Sequence, residues 1–205
     1  MNKIKFHYTY YIISLSFLIT GQFLNLIIFT SLIIVHEFGH YMACIVTKVN
    51  VKMIIIYPYG GITKIDDIID IDFLKELLIS ISGIVFQSLY FFVIYLLYKN
   101  YLIRDYTYNI FSNYHYSMLL FNLIPIFPLD CSKILNVIIN KIFNFKLSNF
   151  LLIFISIINM IVMFFIYNFN YSYVMILGVL INYLYDYIKN MDYLYNRFLL
   201  EKKYK

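Results

Sequence analysis

The strongest constraint on this sequence is its succession of apolar runs. Six lie at about 6–20, 23–46, 77–98, 114–129, 150–167 and 171–188. Most approach the roughly 20 residues that a helix needs to cross the hydrocarbon core of a bilayer. A soluble domain of this length must still present a polar surface to water. A chain that is 62% hydrophobic and 13% charged, with a mean hydropathy of +0.77, cannot supply one. Its solvent is therefore mainly lipid. The expected architecture is an all-α polytopic membrane protein with about six transmembrane helices.

The charges support that reading. Of the 16 lysines and arginines, only Lys99 and Arg104 lie on one side of a six-span arrangement. The others fall in the N-terminal tail (Lys3, Lys5), after run two (Lys48, Lys52, Lys64, Lys75), after run four (Lys133, Lys141, Lys146) and in the C-terminal tail. Cytoplasmic loops of membrane proteins carry such an excess, so both termini are expected to face the cytosol. The net charge of +5 does not point to nucleic acid, because the basic residues sit in short loops and form no patch. The first run follows Lys3 and Lys5 as a signal peptide would, but no small-residue cleavage site follows it, so it reads as a retained span. Cys44 and Cys131 form no CxxC or paired framework, and no disulfide is expected.

One stretch departs from the helical pattern. Val49 to Ile65, "VNVKMIIIYPYGGITKI", is rich in β-branched residues and is punctuated by Pro58, Gly60 and Gly61. It reads as a β-hairpin between the second and third helices. Packed at membrane depth, its backbone must be paired, with one strand edge left free. The cluster Asp66, Asp67, Asp70 and Asp72 then marks the return to water, with Asp72 placed to cap the next helix.

Inside the second run lies "VHEFGHY", Val35 to Tyr41. On a helix, His36 and His40 are one turn apart and share a face. Both imidazoles can reach one Zn²⁺ at about 2.0–2.1 Å. Glu37 is then poised to take a proton from a water whose pKa the ion lowers towards about 7. An ionisable group mid-span costs about 2.5–3.5 kcal/mol on insertion scales, so such residues tend to mark function. A catalytic zinc site needs a third protein ligand. The best-placed carboxylate is Asp130, which closes the fourth run in "FNLIPIFPLDCSKIL", where Pro125 and Pro128 break the helix. Asp105 falls on the wrong side of the membrane by the charge count, and Asp186 reads as a solvated helix end. Cys44, a turn past His40, reads as a core thiol. Cys131, beside Asp130, reads as packing or as a redox-sensitive neighbour. His7 and His115 read as interfacial, and the many Tyr and Phe as belts and lipid-facing packing.

Taken together, these motifs resemble those of the site-2 protease family of intramembrane zinc metalloproteases. "HEFGH" is similar to its zinc motif, "YPYGG" to its Gly-Gly hairpin, and "NLIPIFPLD" to its Asn…Pro…Leu-Asp motif. "SGIVFQ", Ser82 to Gln87, is similar to its Gly-Pro-x-x-Asn stretch, with Ile84 for Pro and Gln87 for Asn. Cys131-Ser132 stands where the family usually has Gly-Gly. The resemblance implies a single intramembrane metalloprotease domain over 1–205, without CBS or PDZ domain. It implies one Zn²⁺ held by His36, His40 and Asp130, with Glu37 as general base and then acid. It implies that Asn122 supports the reacting carbonyl and that Gly60 and Gly61 receive the unwound substrate as an added strand. The short first run and "PLD" resemble most the sporulation branch of the family. That branch implies a membrane-associated substrate such as a sigma-factor precursor (pro-sigma-K-like), membrane inhibitor proteins, and a place in the cytoplasmic or forespore-surrounding membrane. A general site-2 protease acting on other membrane-bound regulators is the first alternative. A metal-binding transporter is the second, although its ionisable residues would be spread over more spans. Intact His36, Glu37, His40 and Asp130 argue against a catalytically dead scaffold.

Overall fold

The computed structural model describes residues 4–57, 60–65, 72–166 and 171–203. Pro58, Tyr59, Asp66, Asp67 and Asp70, which carried part of the hairpin and acidic-cluster expectations, lie outside the described residues. The elements run β1 (Ile4–Phe6), α1 (Tyr8–Ile19), α2 (Phe23–Thr47), β2 (Val51–Tyr57), β3 (Gly60–Ile65), α3 (Phe73–Lys99), α4 (Asp105–Asn122), α5 (Asp130–Ile142), α6 (Phe145–Ile166), α7 (Tyr171–Lys189) and α8 (Met191–Lys203). The chain divides into two compact units. One contains Met1–Asp66 and Ile81–Leu120, the other Asp67–Ser80 and Phe121–Lys205.

Each of the six apolar runs contains a helix, namely α1, α2, α3, α4, α6 and α7. Among the described residues, three of them, α2, α3 and α6, are long and apolar enough to cross a membrane. α1, with 12 residues, is apolar but short. α4 starts earlier than its run, and its opening residues Asp105, Thr107 and Asn109 dilute its apolar character. On α6, Phe150, Phe154, Ile161 and Phe165 are exposed, as expected of a helix whose outer surface meets lipid.

In the first unit, Tyr10, Ile28, Leu32, Ile33, Ile56, Phe111 and Met118 form one buried cluster. It ties α1, α2, α4 and the sheet together. The hairpin is present, with β2 and β3 antiparallel in the register Ile54↔Thr63 and Ile56↔Gly61. Ile54 and Ile56 alternate inward as a half-buried strand requires. Val51 is buried as well, because an irregularity between Val51 and Met53 shifts the alternation by one residue. Gly60 has φ of 149°, a backbone conformation that side chains disfavour. The sheet has three strands and not two, in the order β1-β2-β3. The N-terminal tail pairs parallel to β2, with Phe6 opposite Ile56, and His7 N donates to the Ile56 carbonyl at 2.9 Å. One hairpin edge is thereby covered, and β3 keeps its outer edge.

In the second unit, Ile126, Met160, Met163, Leu177, Leu180 and Leu184 form the buried cluster. The region after run four, expected to be a loop, is the amphipathic helix α5. Its period was legible: Cys131, Ile134, Leu135, Ile138, Ile139 and Ile142 recur at three- and four-residue spacing. The end of the fourth run, in contrast, is not helical. α4 stops at Asn122, and residues 123–129 form turns that include the cis Phe127–Pro128 bond. Pro125 and Pro128 lack the N–H a helix needs and disfavour helical geometry in the residue before them. Asp130 therefore opens a new helix instead of ending a span. Asp72 precedes α3; its carbonyl accepts from Glu76 N at 3.0 Å and its carboxylate pairs with Lys75 at 3.1 Å.

Candidate active site

α2 carries His36, Glu37 and His40 on one face, and all three are buried. One ligand atom from each lies within 4.8 Å of the others, the only such group of His, Cys, Asp or Glu among the described residues. The two Nε2 atoms are 3.2 Å apart. Cys44 is buried on the same helix and is not a member of the group, in keeping with a core thiol.

Glycines decide how closely other elements approach this face. Gly39, inside the HEFGH motif, is where α3 comes closest. A Cβ there would lie 2.6 Å from the Ser82 carbonyl oxygen. On α3, a Cβ at Gly83 would lie 2.7 Å from His36 Nε2 and 2.7 Å from His40 Cε1. The space in front of both imidazoles exists because residue 83 has no side chain. On β3, a Cβ at Gly61 would lie 2.7 Å from Glu37 Oε1. Gly61 thus serves an intrachain contact, a reason for this glycine that the sequence did not reveal.

Several polar side chains hold the cluster. Thr63, two residues past Gly61 on the same strand face, donates from Oγ1 to Glu37 Oε2 at 2.7 Å. His36 Nδ1 lies 3.1 Å from Gln87 Oε1, and His40 Nδ1 lies 3.5 Å from Ser82 Oγ. Gln87 is fully buried, and its Nε2 lies 3.1 Å from the His115 carbonyl and 3.2 Å from His115 Nδ1. Metal-binding histidines usually have their second ring nitrogen held in this way. The donor set therefore fits a zinc-like dication: two imidazole nitrogens facing one open space, a carboxylate beside them, and a polar partner behind each ring.

Sequence reasoning missed Thr63, whose residue type is unremarkable in a strand, and met Gly83 only as the glycine of the Gly-Pro-x-x-Asn-like stretch, without its contact to the histidines. It did not foresee the packing of His115, which reads as interfacial. His115 is buried on α4 and stacks on Phe91 with centroids 4.1 Å apart. His7 is half-buried and caps α1, accepting from Thr9 N.

Of the remaining candidates, Asp130, Asn122 and Asp186 belong to the second unit. Asp130 is buried at the first position of α5, with Oδ1 3.0 Å from Lys133 Nζ. Asn122 is half-buried at the end of α4. Asp186 and Asp105 are exposed. Burial first, and then the adjacent Asp130 carboxylate, push the Cys131 thiol above its ordinary value, which disfavours the reactive thiolate.

A buried His-Glu-His cluster on a membrane-length helix, braced by a small sheet, is the arrangement expected of an intramembrane metallopeptidase. Comparison with known proteins agrees. The Peptidase family M50 model matches residues 24–117. Over 207 residues the chain is 26% identical to Stage IV sporulation protein FB of Bacillus subtilis (strain 168), an alignment covering 98% of this chain and 72% of that protein. The fold is similar to that of the Site-2 Protease from Methanocaldococcus jannaschii, with a TM-score of 0.69 at 21% identity over 91% of each chain. The family model, the sporulation relative and the shared fold agree on one kind of protein, a membrane metalloprotease of the site-2 type. None of these similarities points to a transporter.

Proposed function

We propose that the chain is a zinc endopeptidase that cuts a tethered protein in or near its membrane segment. In this reading His36, His40 and Asp130 hold the ion. The observation that carries it is the buried pair of Nε2 atoms, 3.2 Å apart, facing the gap over Gly83 with Glu37 alongside. When bound, the ion supplies Lewis acidity, acidifying a water and polarising the scissile carbonyl. Glu37 does the proton transfer. Its Oε2 is held by Thr63, so Oε1, over bare Gly61, is the oxygen that accepts the proton of the attacking water and passes it to the leaving amine. Asn122 steadies the carbonyl oxygen as negative charge develops there. A helical substrate must unwind before cleavage, and the outer edge of β3 at Gly60-Gly61 offers main-chain pairing to the unwound segment.

The substrate we favour is a membrane-associated sigma-factor precursor of the pro-sigma-K kind. The sporulation relative supports this, as does the charge asymmetry, by which both termini and the basic loops are expected to face the cytosol, where a transcription factor resides. The test is to incubate the purified full chain with such a precursor. Wild type should cleave it, Glu37→Gln should bind zinc without cleaving, and His36→Ala should lose both. Equal zinc loss in Glu37→Gln and His36→Ala would overturn the division of roles, and an uncleaved precursor would overturn the substrate.

A further inference from the structure

We propose that Gln87 is a positioning residue that presets His36 for metal, by fixing which ring nitrogen carries the proton. The inference rests on the metal reading above. Its logic begins at one atom, the His115 carbonyl oxygen, which can only accept. It lies 3.1 Å from Gln87 Nε2, so that end of the side chain is the donating NH₂. The other end, 3.1 Å from His36 Nδ1, is therefore the amide oxygen, and it can only accept. His36 Nδ1 must carry the proton, which leaves the lone pair on Nε2, the nitrogen that faces the gap over Gly83. The second N–H of Gln87 meets His115 Nδ1 at 3.2 Å, so His115 takes the opposite tautomer, with its proton on Nε2.

The arrangement is closed to water. Gln87 is fully buried, and His36 and His115 are nearly so. It is also braced. Phe91, one helical turn after Gln87, stacks on His115 at an interplanar angle of 3°. Gly83, one turn before Gln87, opens the front of the same imidazole whose back Gln87 holds. Behind His40, the Ser82 hydroxyl lies 3.5 Å from Nδ1.

The experiment uses the full chain in detergent with ¹⁵N-labelled histidine. Two-bond proton–nitrogen spectra of metal-free protein report each tautomer, and competition with a chelator reports zinc affinity. Wild type should show His36 protonated at Nδ1 and His115 at Nε2. Gln87→Leu should release His36 towards the Nε2-protonated form and weaken zinc about 10- to 100-fold, as removal of such outer partners does. Gln87→Glu keeps an acceptor for His36 but cannot donate to the His115 carbonyl. It should keep the His36 tautomer and most of the zinc affinity, and it serves if Gln87→Leu does not fold. His36 protonated at Nε2 in wild type would overturn the proposal. So would Gln87→Leu with unchanged tautomer and zinc affinity, or Gln87→Glu losing zinc together with the Nδ1 proton. A merely structural link between α3 and α4 would lower stability in both variants without moving the tautomer. A wild type that shows the expected tautomers yet binds no zinc would bring down the metal reading separately.

Discussion

Gly83→Ala is the smallest change that tests where the ion sits. The added methyl carbon would lie 2.7 Å from His36 Nε2 and 2.7 Å from His40 Cε1. Reaching ordinary contact at 3.4 Å requires His36 to withdraw by about 0.7 Å, and His40, whose Nε2 lies closer still, by more. Metal–ligand distances tolerate only about 0.2 Å. Turning His36 away does not rescue the site, since it breaks the Gln87 contact and swings the lone pair off the gap. Holding both rings still leaves the methyl in the space the ion requires. Both routes lead to loss of zinc, by more than the roughly 100-fold that outer-partner mutations reach. The fold should survive. Alanine gains about 0.8–1 kcal/mol over glycine in a helix interior, against an overpacking cost of about 1–3 kcal/mol. Metal content per chain by mass spectrometry, with thermal unfolding of the same detergent-solubilised sample, separates the two effects. A Gly83→Ala protein that unfolds like wild type and still carries one zinc per chain would refute this placement.

Three further outcomes are expected. Thr63→Val removes the 2.7 Å bond to Glu37 Oε2 and should slow cleavage about 10- to 100-fold with zinc content unchanged, since bonds to charged groups are worth about 1.5–3 kcal/mol. Gly61→Val forces a branched side chain onto Glu37 Oε1 and should abolish cleavage while zinc remains; retained activity would mean that this oxygen is not the proton acceptor. Asp130→Asn should weaken zinc binding and activity together in a chelator titration, whereas Asp186→Asn, at an exposed helix position, should change neither.

Much of this protein is written locally in its sequence. Apolar length sets where helices form, because a buried backbone in lipid must bond within its own segment. The one-turn spacing of His36 and His40 puts them on one face whatever packs around them. β-Branched residues and Gly60 announce the hairpin for equally local reasons. The helical period of α5 was legible as well, but the apolar run before it suggested a longer span than Pro125 and Pro128 permit. What the sequence does not carry is the identity of residues that matter through distant contacts. Thr63 is one polar side chain in a strand until β3 lies against α2 and sets its hydroxyl on Glu37. Gly39 and Gly83 look like helix-weakening residues until α3 is seen to press on the histidines through them. His115 looks interfacial by its polarity, and only the packing of α4 against α3 buries it and gives Gln87 its orientation. The parallel pairing of the N-terminal tail with β2 joins residues some fifty positions apart, a choice made by the sheet edge that was available and not by the few residues of β1. Periodicity is a property of one segment, and so it can be read from one. A contact requires two, and the tertiary structure alone selects the second.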